Sequence, residues 1–454
     1  MARYAHIIGW GKCVPRRVMT NDDWSKLVDT SDEWIRSRSG VRERHVASEG
    51  ESTLTLGLEA ARNALEVARL SPAYLDLIIV ATVSPEYPFP ATASLVQDQL
   101  GATHAGAFDL SAGCSGFIYA VAIASETLRS GAYQYALVIG SETLTRMMDW
   151  TDRATCVLFG DGAGAVVLAA SDVPGGVVSH TLGSDGSGGD YLIVPGGGSR
   201  NPATHETVDQ RLHCIKMNGR EVFKFATRAM DRATRLVCQK ANVDLEDVEL
   251  VVPHQANDRI IQSAAKALGL PNGTFYVNLD RYGNTSAASI PIALCEVLDM
   301  GRVHRHDHIV LVGFGAGLTW GAVLVQWETP FPGVRIKWWQ RLTNALYYRW
   351  ARVRSVFART RRRLESWRTS EGNGQDSGDG DGDGDGDGDG HAPPRSSPAA
   401  DTPPASLTQP SQPALSLPDQ AVEHRHAEVA PAELPPPPPE PTPAEERDDA
   451  TTEK

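Results

Sequence analysis

The sequence predicts an α/β fold built from two related halves, and three observations carry that prediction. From Ala5 to about Trp327, short apolar strands alternate with helical patterns. A self-comparison shifted by 170 residues superposes Gly113 on Gly283, Cys114 on Asn284, Ser115 on Thr285, Glu126 on Glu296, Leu128 on Leu298 and Gly131 on Gly301. The flanking segments keep the same order: Ser94–Gly101 matches Gln262–Gly269, and Phe159–Gly164 matches Gly313–Gly317.

Each element follows from local pattern. Short aliphatic, β-branched runs predict buried strands over Leu77–Thr82, Ala107–Leu110, Leu137–Ser141, Gly164–Ala169, Leu250–Pro253, Ile309–Val312 and Ala322–Gln326. Helices are expected over Thr92–Leu100 and Asp258–Leu268, with Gly101 and Gly269 at their C-caps. The segment from about Gly116 to Leu128 is small and aliphatic all round, so it reads as a buried helix. Cys114 then stands at a strand-to-helix turn. Unpaired N–H groups and the positive end of the helix dipole favour a thiolate there. Gly113, Ser115 and Gly116 let a substrate carbonyl approach closely.

Taken singly, these residues have plainer readings. A buried Cys is usually a small hydrophobe, His254 alone reads as a structural histidine, and Asn284 between Gly283 and Thr285 reads as a turn or cap. Their placement in a duplicated chain favours a joint reading. If the halves pack about a pseudo-twofold axis, the turns at Cys114 and Asn284 face each other. His254, just past a strand and before a helix, lies where α/β sheets put their sites. Cys, His and Asn at three strand ends suit acyl transfer through a thioester. Backbone N–H groups at Cys114 and in the turn Gly313–Gly317 are candidate oxyanion donors.

Composition narrows the field. The formal charge of −13 over 454 residues conceals three regions. Residues 371–454 hold 19 acidic and 4 basic side chains, residues 331–370 hold 1 and 11, and residues 1–330 carry −8. The last value argues against nucleic acid as a partner of the main body. Six scattered cysteines without CxxC indicate free thiols and a reducing compartment. The N-terminus has no signal-peptide pattern, and no apolar run is long enough to span a bilayer.

The motifs then identify a family. Thr30–His45, Asp109-Leu-Ser-Ala-Gly-Cys-Ser-Gly-Phe117, Thr151-Asp-Arg153, Phe159–Gly164, Pro253-His-Gln-Ala-Asn257 and Gly283-Asn-Thr-Ser-Ala-Ala-Ser289 together resemble β-ketoacyl-acyl-carrier-protein synthase III. That family is a group of thiolase-fold condensing enzymes that start fatty-acid synthesis. The resemblance covers about residues 1–327 and implies a thiolase-like fold, two βαβαβ-type halves in α-β-α-β-α layers. Residues 1–172 would carry the nucleophilic Cys114, and residues 173–330 would carry His254 and Asn284. It implies that Cys114 is acylated by an acyl-CoA primer, while His254 and Asn284 support decarboxylation of malonyl-acyl carrier protein. The oxyanion donors would be the N–H groups of Cys114 and Ala316, where the family commonly has Gly in place of Ala316. Trp34 and Arg153 would take opposite faces of the CoA adenine, Arg38 its phosphates and Asn257 the pantetheine arm. Arg259 and Lys266 would receive the acidic carrier protein. Phe89 would close the acyl pocket from the partner subunit of a homodimer, favouring acetyl-CoA or a similarly short primer. No metal and no cofactor would be needed. The alternatives are a starter-unit synthase or acyltransferase of secondary metabolism, and, in another class, an inactive carrier-protein scaffold. The intact Cys114, His254, Asn284, Trp34 and Arg153 speak against the scaffold.

After Trp327 the resemblance stops. Residues 331–370 predict a basic amphipathic helix with an apolar stripe of Trp339, Leu342, Leu346, Trp350, Val353, Phe357, Leu364 and Trp367. Peripheral contact with an anionic membrane is its first reading, docking on the enzyme core or a partner the second, and nucleic acid the third. Residues 371–454, with an alternating Gly-Asp run and then Pro and Ala, are expected to be a disordered acidic tail. The expected location is cytoplasmic, peripheral at the inner face of the membrane if the tail contact forms.

Overall fold

A computed structural model of the chain describes residues 3–271, 273–328, 346–351, 353–358 and 360–361. The strands expected from aliphatic runs assemble into two sheets. The first comprises β1 (Tyr4–Cys13), β2 (Leu77–Ala81), β3 (Gly106–Leu110), β4 (Tyr135–Thr143) and β5 (Asp161–Ser171) in the order β1-β5-β4-β2-β3. The second comprises β6 (Gly176–Ser184), β7 (Val248–Pro253), β8 (His308–Gly315) and β9 (Thr319–Gln326) in the order β7-β8-β9-β6. In both sheets the pairings run parallel, antiparallel, antiparallel outward from the same kind of strand: β2 on β4, β4 on β5 and β5 on β1, against β7 on β8, β8 on β9 and β9 on β6. Even β3 has a vestigial counterpart, because Phe275 bridges Val251 in parallel. The duplication read from sequence is therefore a duplication of topology.

The helices supply the layers. Of α1 (Asp32–Ser39), α2 (Thr53–Ala68), α3 (Thr92–Leu100), α4 (Gly116–Arg129), α5 (Gly219–Ala241), α6 (Asp258–Leu268) and α7 (Ser289–Asp299), only α4 and α7 touch both sheets extensively. They form the central layer, which is why both are apolar on nearly every side. Helices α2 and α3 cover the first sheet, and α5 covers the second with α6 packed beside α5, giving the α-β-α-β-α arrangement. Both α3 and α6 end at Gly101 and Gly269 in left-handed conformation, as their sequence predicts.

One charge is buried within this apolar layer. Glu296 of α7 accepts from Lys12 Nζ at 2.7 Å, Tyr282 Oη at 2.7 Å, Asn278 Nδ2 at 2.8 Å, and both terminal nitrogens of Arg281 at 2.9 and 2.8 Å. Burial opposes the charge, but Arg281, Lys12 and the neutral donors outweigh it and hold the carboxyl at about 2, below its ordinary 4.5. Its contribution to stability is thus complete above pH 4.5 and is lost as pH falls toward 2. Glu296→Gln should cost about 2 kcal/mol at neutral pH, trimmed from the deeply buried scale because Arg281 is partly solvated. Urea denaturation at pH 7 and again near pH 3 checks both the size and its shrinkage.

The chain beyond β9 returns to the body of the fold. Residues 346–351, 353–358 and 360–361 are helical and form α8, which docks on α2 and α3. Tyr347 Oη donates to Gly101 O at 3.1 Å, and Ser355 Oγ to Asp98 Oδ2 at 2.6 Å. Tyr348 packs against the apolar cluster formed by α2, α3 and the first sheet, with the Arg62 guanidinium 4.9 Å from its ring centre. Ala351 is buried so close to Gly101 that a methyl group there would lie 2.9 Å from it. The docking reading had the stripe itself as the contact, and the described part of the segment instead touches the rest of the fold through another face. Leu346, Trp350, Val353 and Phe357 are exposed. The remaining stripe positions and the acidic tail lie outside the described residues. No described helix is long and apolar enough to cross a membrane.

Candidate active site

Three chain turns converge on one place. Cys114 ends the loop between β3 and α4, His254 follows β7, and Asn284 precedes the short turn into α7. All three side chains line a single cavity of about 320 Å³. Each is almost wholly buried, at 7%, 1% and 8% exposure respectively.

The turn around Cys114 is pressed against the Gly-rich turn after β8. A methyl group at Gly113 would stand 2.6 Å from Ala316 N, and one at Gly315 would collide with Cys114 N. Gly113 also holds φ at +55°, so glycine is required there twice over. Ser115 Oγ and Thr319 Oγ1 lie 2.7 Å apart and both donate to Ala112 O, at 2.7 and 2.8 Å, stitching the two turns together. Backbone amides from 114 and 316 are thereby brought to one wall of the site.

Electrostatics modifies the expectation for the nucleophile. Burial pushes the Cys114 thiol up to about 12, with Ser286 pulling weakly the other way. Burial thus opposes the thiolate that the helix start was expected to favour. His254 moves as a neutral donor requires, because burial holds its imidazole at about 3. Its Nδ1 meets Ser289 Oγ at 2.7 Å, and its ring packs edge-on against Phe314 at 5.2 Å. Asn284 Oδ1 accepts from Ser286 N at 2.8 Å. That bond sets the amide orientation and presents Nδ2, a pure donor, with no partner among the described residues.

A second cavity, of about 250 Å³, shares Cys114, Phe159 and Leu192 with the first. Its walls are apolar, chiefly Leu144, Met147, Val194 and Ile215. Sequence reasoning missed these residues, since each reads as ordinary core. It also missed Ser289, Ser286 and Glu142. Glu142 is fully buried and accepts from Val83 N, Ser84 N, Ser84 Oγ and Thr82 Oγ1. A carboxylate among the aliphatic residues of β4 was a readable signal, and Ser289 lay inside the quoted Gly283–Ser289 motif.

The outer rim gathers other candidates. Trp34, Arg38, Asn257 and Arg259 line the first cavity. The Arg153 guanidinium sits 5.5 Å from the Trp34 ring centre and bonds Asp29 at 3.1 Å. Two van der Waals contacts require roughly 7 Å, so a base fits between them only if the two side chains move apart. Asn257 is engaged as the N-cap of α6, accepting from Arg259 N at 2.9 Å and donating to Arg38 O at 2.9 Å. Arg259 also lies 5.9 Å from the Phe223 ring, and Lys266 is exposed farther along α6. Phe89 borders neither cavity of its own chain and is 87% exposed.

Comparison with known proteins agrees with this geometry. Residues 108–186 match the family model described as 3-oxoacyl-[acyl-carrier-protein] synthase III, and residues 238–327 match that of its C-terminal part. The chain is 52% identical over 324 residues to the beta-ketoacyl-[acyl-carrier-protein] synthase III of Caldanaerobacter subterraneus subsp. tengcongensis, covering 71% of this chain and 98% of that one. It is 55% identical over 321 residues to the protein of the same name from Symbiobacterium thermophilum, covering 71% and 97%. Among solved structures, the synthase III of Aquifex aeolicus VF5 is similar with a TM-score of 0.66 and 48% identity, covering 71% of this chain and all of that one. The priming β-ketosynthase of the R1128 polyketide pathway is similar with a TM-score of 0.68 and 34% identity, covering 73% and 98%.

Proposed function

The chain belongs to the 3-oxoacyl-[acyl-carrier-protein] synthase III family, and from that premise we propose how its own residues divide the reaction. It is an initiating condensing enzyme of fatty-acid synthesis, an acyltransferase whose substrates are an acyl-CoA and malonyl-acyl carrier protein. In the first half-reaction the Cys114 sulfur attacks the acyl-CoA thioester carbonyl. The N–H groups of Cys114 and Ala316 hold the tetrahedral oxyanion. CoA leaves with the thiol proton, and acyl-Cys114 remains. In the second, malonyl-acyl carrier protein loses CO2, and the enolate oxygen is held by His254 Nε2–H and Asn284 Nδ2–H. Ser289 Oγ donating to Nδ1 would put the imidazole proton on Nε2. The enolate carbon attacks acyl-Cys114, releasing 3-oxoacyl-acyl carrier protein and a Cys114 thiolate that takes up one proton. Neither half-reaction changes oxidation state, and the malonyl carboxylate supplies the carbanion, so no resident cofactor is needed.

The observation that carries this reading is the convergence of Cys114, His254 and Asn284 on one cavity. A panel of acyl-CoA primers with malonyl-acyl carrier protein, read by mass spectrometry of protein and products, tests it. An acyl adduct on Cys114 and a 3-oxoacyl product are expected. The absence of both with every primer would leave the scaffold reading, and a preference for an unusual starter would favour secondary metabolism.

Because the imidazole is neutral above about pH 3, decarboxylation by the acylated enzyme should show no His254 titration between about pH 5 and 8. A rate that falls with protonation of a group near 6.5, and loses that fall in His254→Asn, would contradict the neutral-donor role.

The apolar second cavity is the natural acyl pocket. We read the chain as a homodimer joined at β3, whose outer edge is unpaired among the described residues and carries the partly exposed Phe108. Phe89 of the partner subunit would then cap the pocket and select acetyl-CoA or a similarly short primer. Phe89→Thr is expected to shift the best primer to a longer chain, by roughly tenfold in relative kcat/KM. A wild type that already prefers long-chain acyl-CoA would sink the assignment. Trp34, Arg38, Arg153 and Asn257 are proposed to hold CoA, and Arg259 and Lys266 the carrier protein. Residues 1–172 and 173–330 are read as the two halves, and residues 331–370 as a peripheral membrane contact.

A further inference from the structure

We infer that α8 is a lipid-facing helix, held on the enzyme by one face and presenting Leu346, Trp350, Val353 and Phe357 to an anionic bilayer. The inference rests on the peripheral-contact reading above and adds the surface and its geometry; it is independent of the condensing chemistry.

The exposed residues follow the spacing i, i+4, i+7 and i+11, so they form one stripe along the helix. Their exposures are 57%, 59%, 66% and 74%, although all are large apolar side chains. A contiguous apolar stripe of this length is unusual on a protein surface that meets only water. Docking on the enzyme does not account for it, because the opposite face, with Tyr347, Tyr348, Ala351 and Ser355, already makes that contact. The same contact fixes which way the stripe points.

Charge selects the occupant. Residues 331–370 hold eleven basic side chains and a single acidic one, Glu365. On the wheel of α8, Arg349 flanks the stripe on one side and Arg354 on the other. The Arg354 guanidinium lies 5.4 Å from the Trp350 ring centre. Apolar and aromatic residues flanked by arginine suit the boundary between acyl chains and anionic headgroups, where both can be satisfied together. A second copy of α8 would cover the stripe but would bring the same positive charge against itself. The alternating Gly-Asp run of residues 378–390 could neutralise arginines but offers nothing apolar to cover Trp350 and Phe357.

Co-sedimentation of the full chain with vesicles of phosphatidylcholine, with and without phosphatidylglycerol, tests the inference. Binding to the anionic vesicles should exceed binding to the neutral ones by roughly tenfold or more at low salt. The double variant Trp350→Glu and Phe357→Glu should lose roughly tenfold or more of that binding, whereas Val208→Glu, an exposed apolar residue elsewhere, should bind as wild type. Wild-type protein that stays in the supernatant with anionic vesicles overturns the inference. So does equal binding by wild type and the double variant. Sedimentation velocity supplies a separate measure: a smaller assembly in the double variant would assign the stripe to contact between copies and overturn the lipid assignment. Condensing activity without vesicles should be unchanged in all variants, so a failed membrane result leaves the catalytic reading standing, and an inactive wild type that still binds vesicles leaves this one standing.

Discussion

Cys114→Ala is expected to give no acyl-enzyme adduct and to lower condensation on the order of 10⁴-fold or more, the scale on which removal of a covalent nucleophile is felt. No other thiol can substitute. Among the other cysteines, Cys156, Cys238 and Cys295 are buried in core, and neither Cys13 nor Cys214 borders either cavity. The substitution removes one sulfur from a buried position and should leave the fold intact, at a cost of about 1 kcal/mol. Intact-mass measurement after acyl-CoA exposure, with a thermal melt as control, separates lost chemistry from lost structure. Normal turnover by a well-folded variant would end the thioester mechanism.

The second large effect separates the half-reactions. His254→Ala and Asn284→Ala should each slow malonyl decarboxylation about 10²–10³-fold, the range for loss of one donor to a developing oxyanion. Acylation of Cys114 should suffer less, because its proposed oxyanion donors are backbone amides of residues 114 and 316. Burial sharpens this test. A thiol pushed up to about 12 must lose its proton as the thioester is attacked, and His254, at about 3, is a weak base for that step. Single-turnover acylation followed by mass spectrometry, set beside CO2 release from malonyl-acyl carrier protein, reads the two rates separately. Equal and complete loss of acylation in both variants would make His254 an obligatory base and contradict the division proposed here.

Much of this architecture was open to inspection in the residues. The aliphatic runs became β2, β4, β5, β7, β8 and β9 with shifted ends, and α3 and α6 match Thr92–Leu100 and Asp258–Leu268. Strand ends moved because hydrogen bonding continues past the apolar run when the partner strand does, as for Asp161 and Gly162 opposite Thr143 and Glu142. The repeat at a shift of 170 positioned Cys114 and Asn284 at equivalent turns, and both line the one cavity.

What chain order alone conveyed was whatever depends on neighbours along the chain: strand and helix periodicity, the glycine C-caps, the duplicated turns and the motif that carries Cys114, His254 and Asn284. Properties set by contacts across the fold lay beyond it. Ser289 orients His254 from α7, and Ser286 N fixes the Asn284 amide. Gly113 is required by the backbone of Ala316, and Gly315 by that of Cys114, across about 200 residues of chain. Burial, a property of the assembled layers, raises the Cys114 thiol where the isolated helix start would lower it. The tail makes the same point at the surface. Helical spacing marked the stripe of Leu346, Trp350, Val353 and Phe357, but the stripe faces outward because the opposite face fits Gly101, Asp98 and Arg62. Periodicity defines which residues share a face; the shape and chemistry of the surface it meets decide which face turns inward.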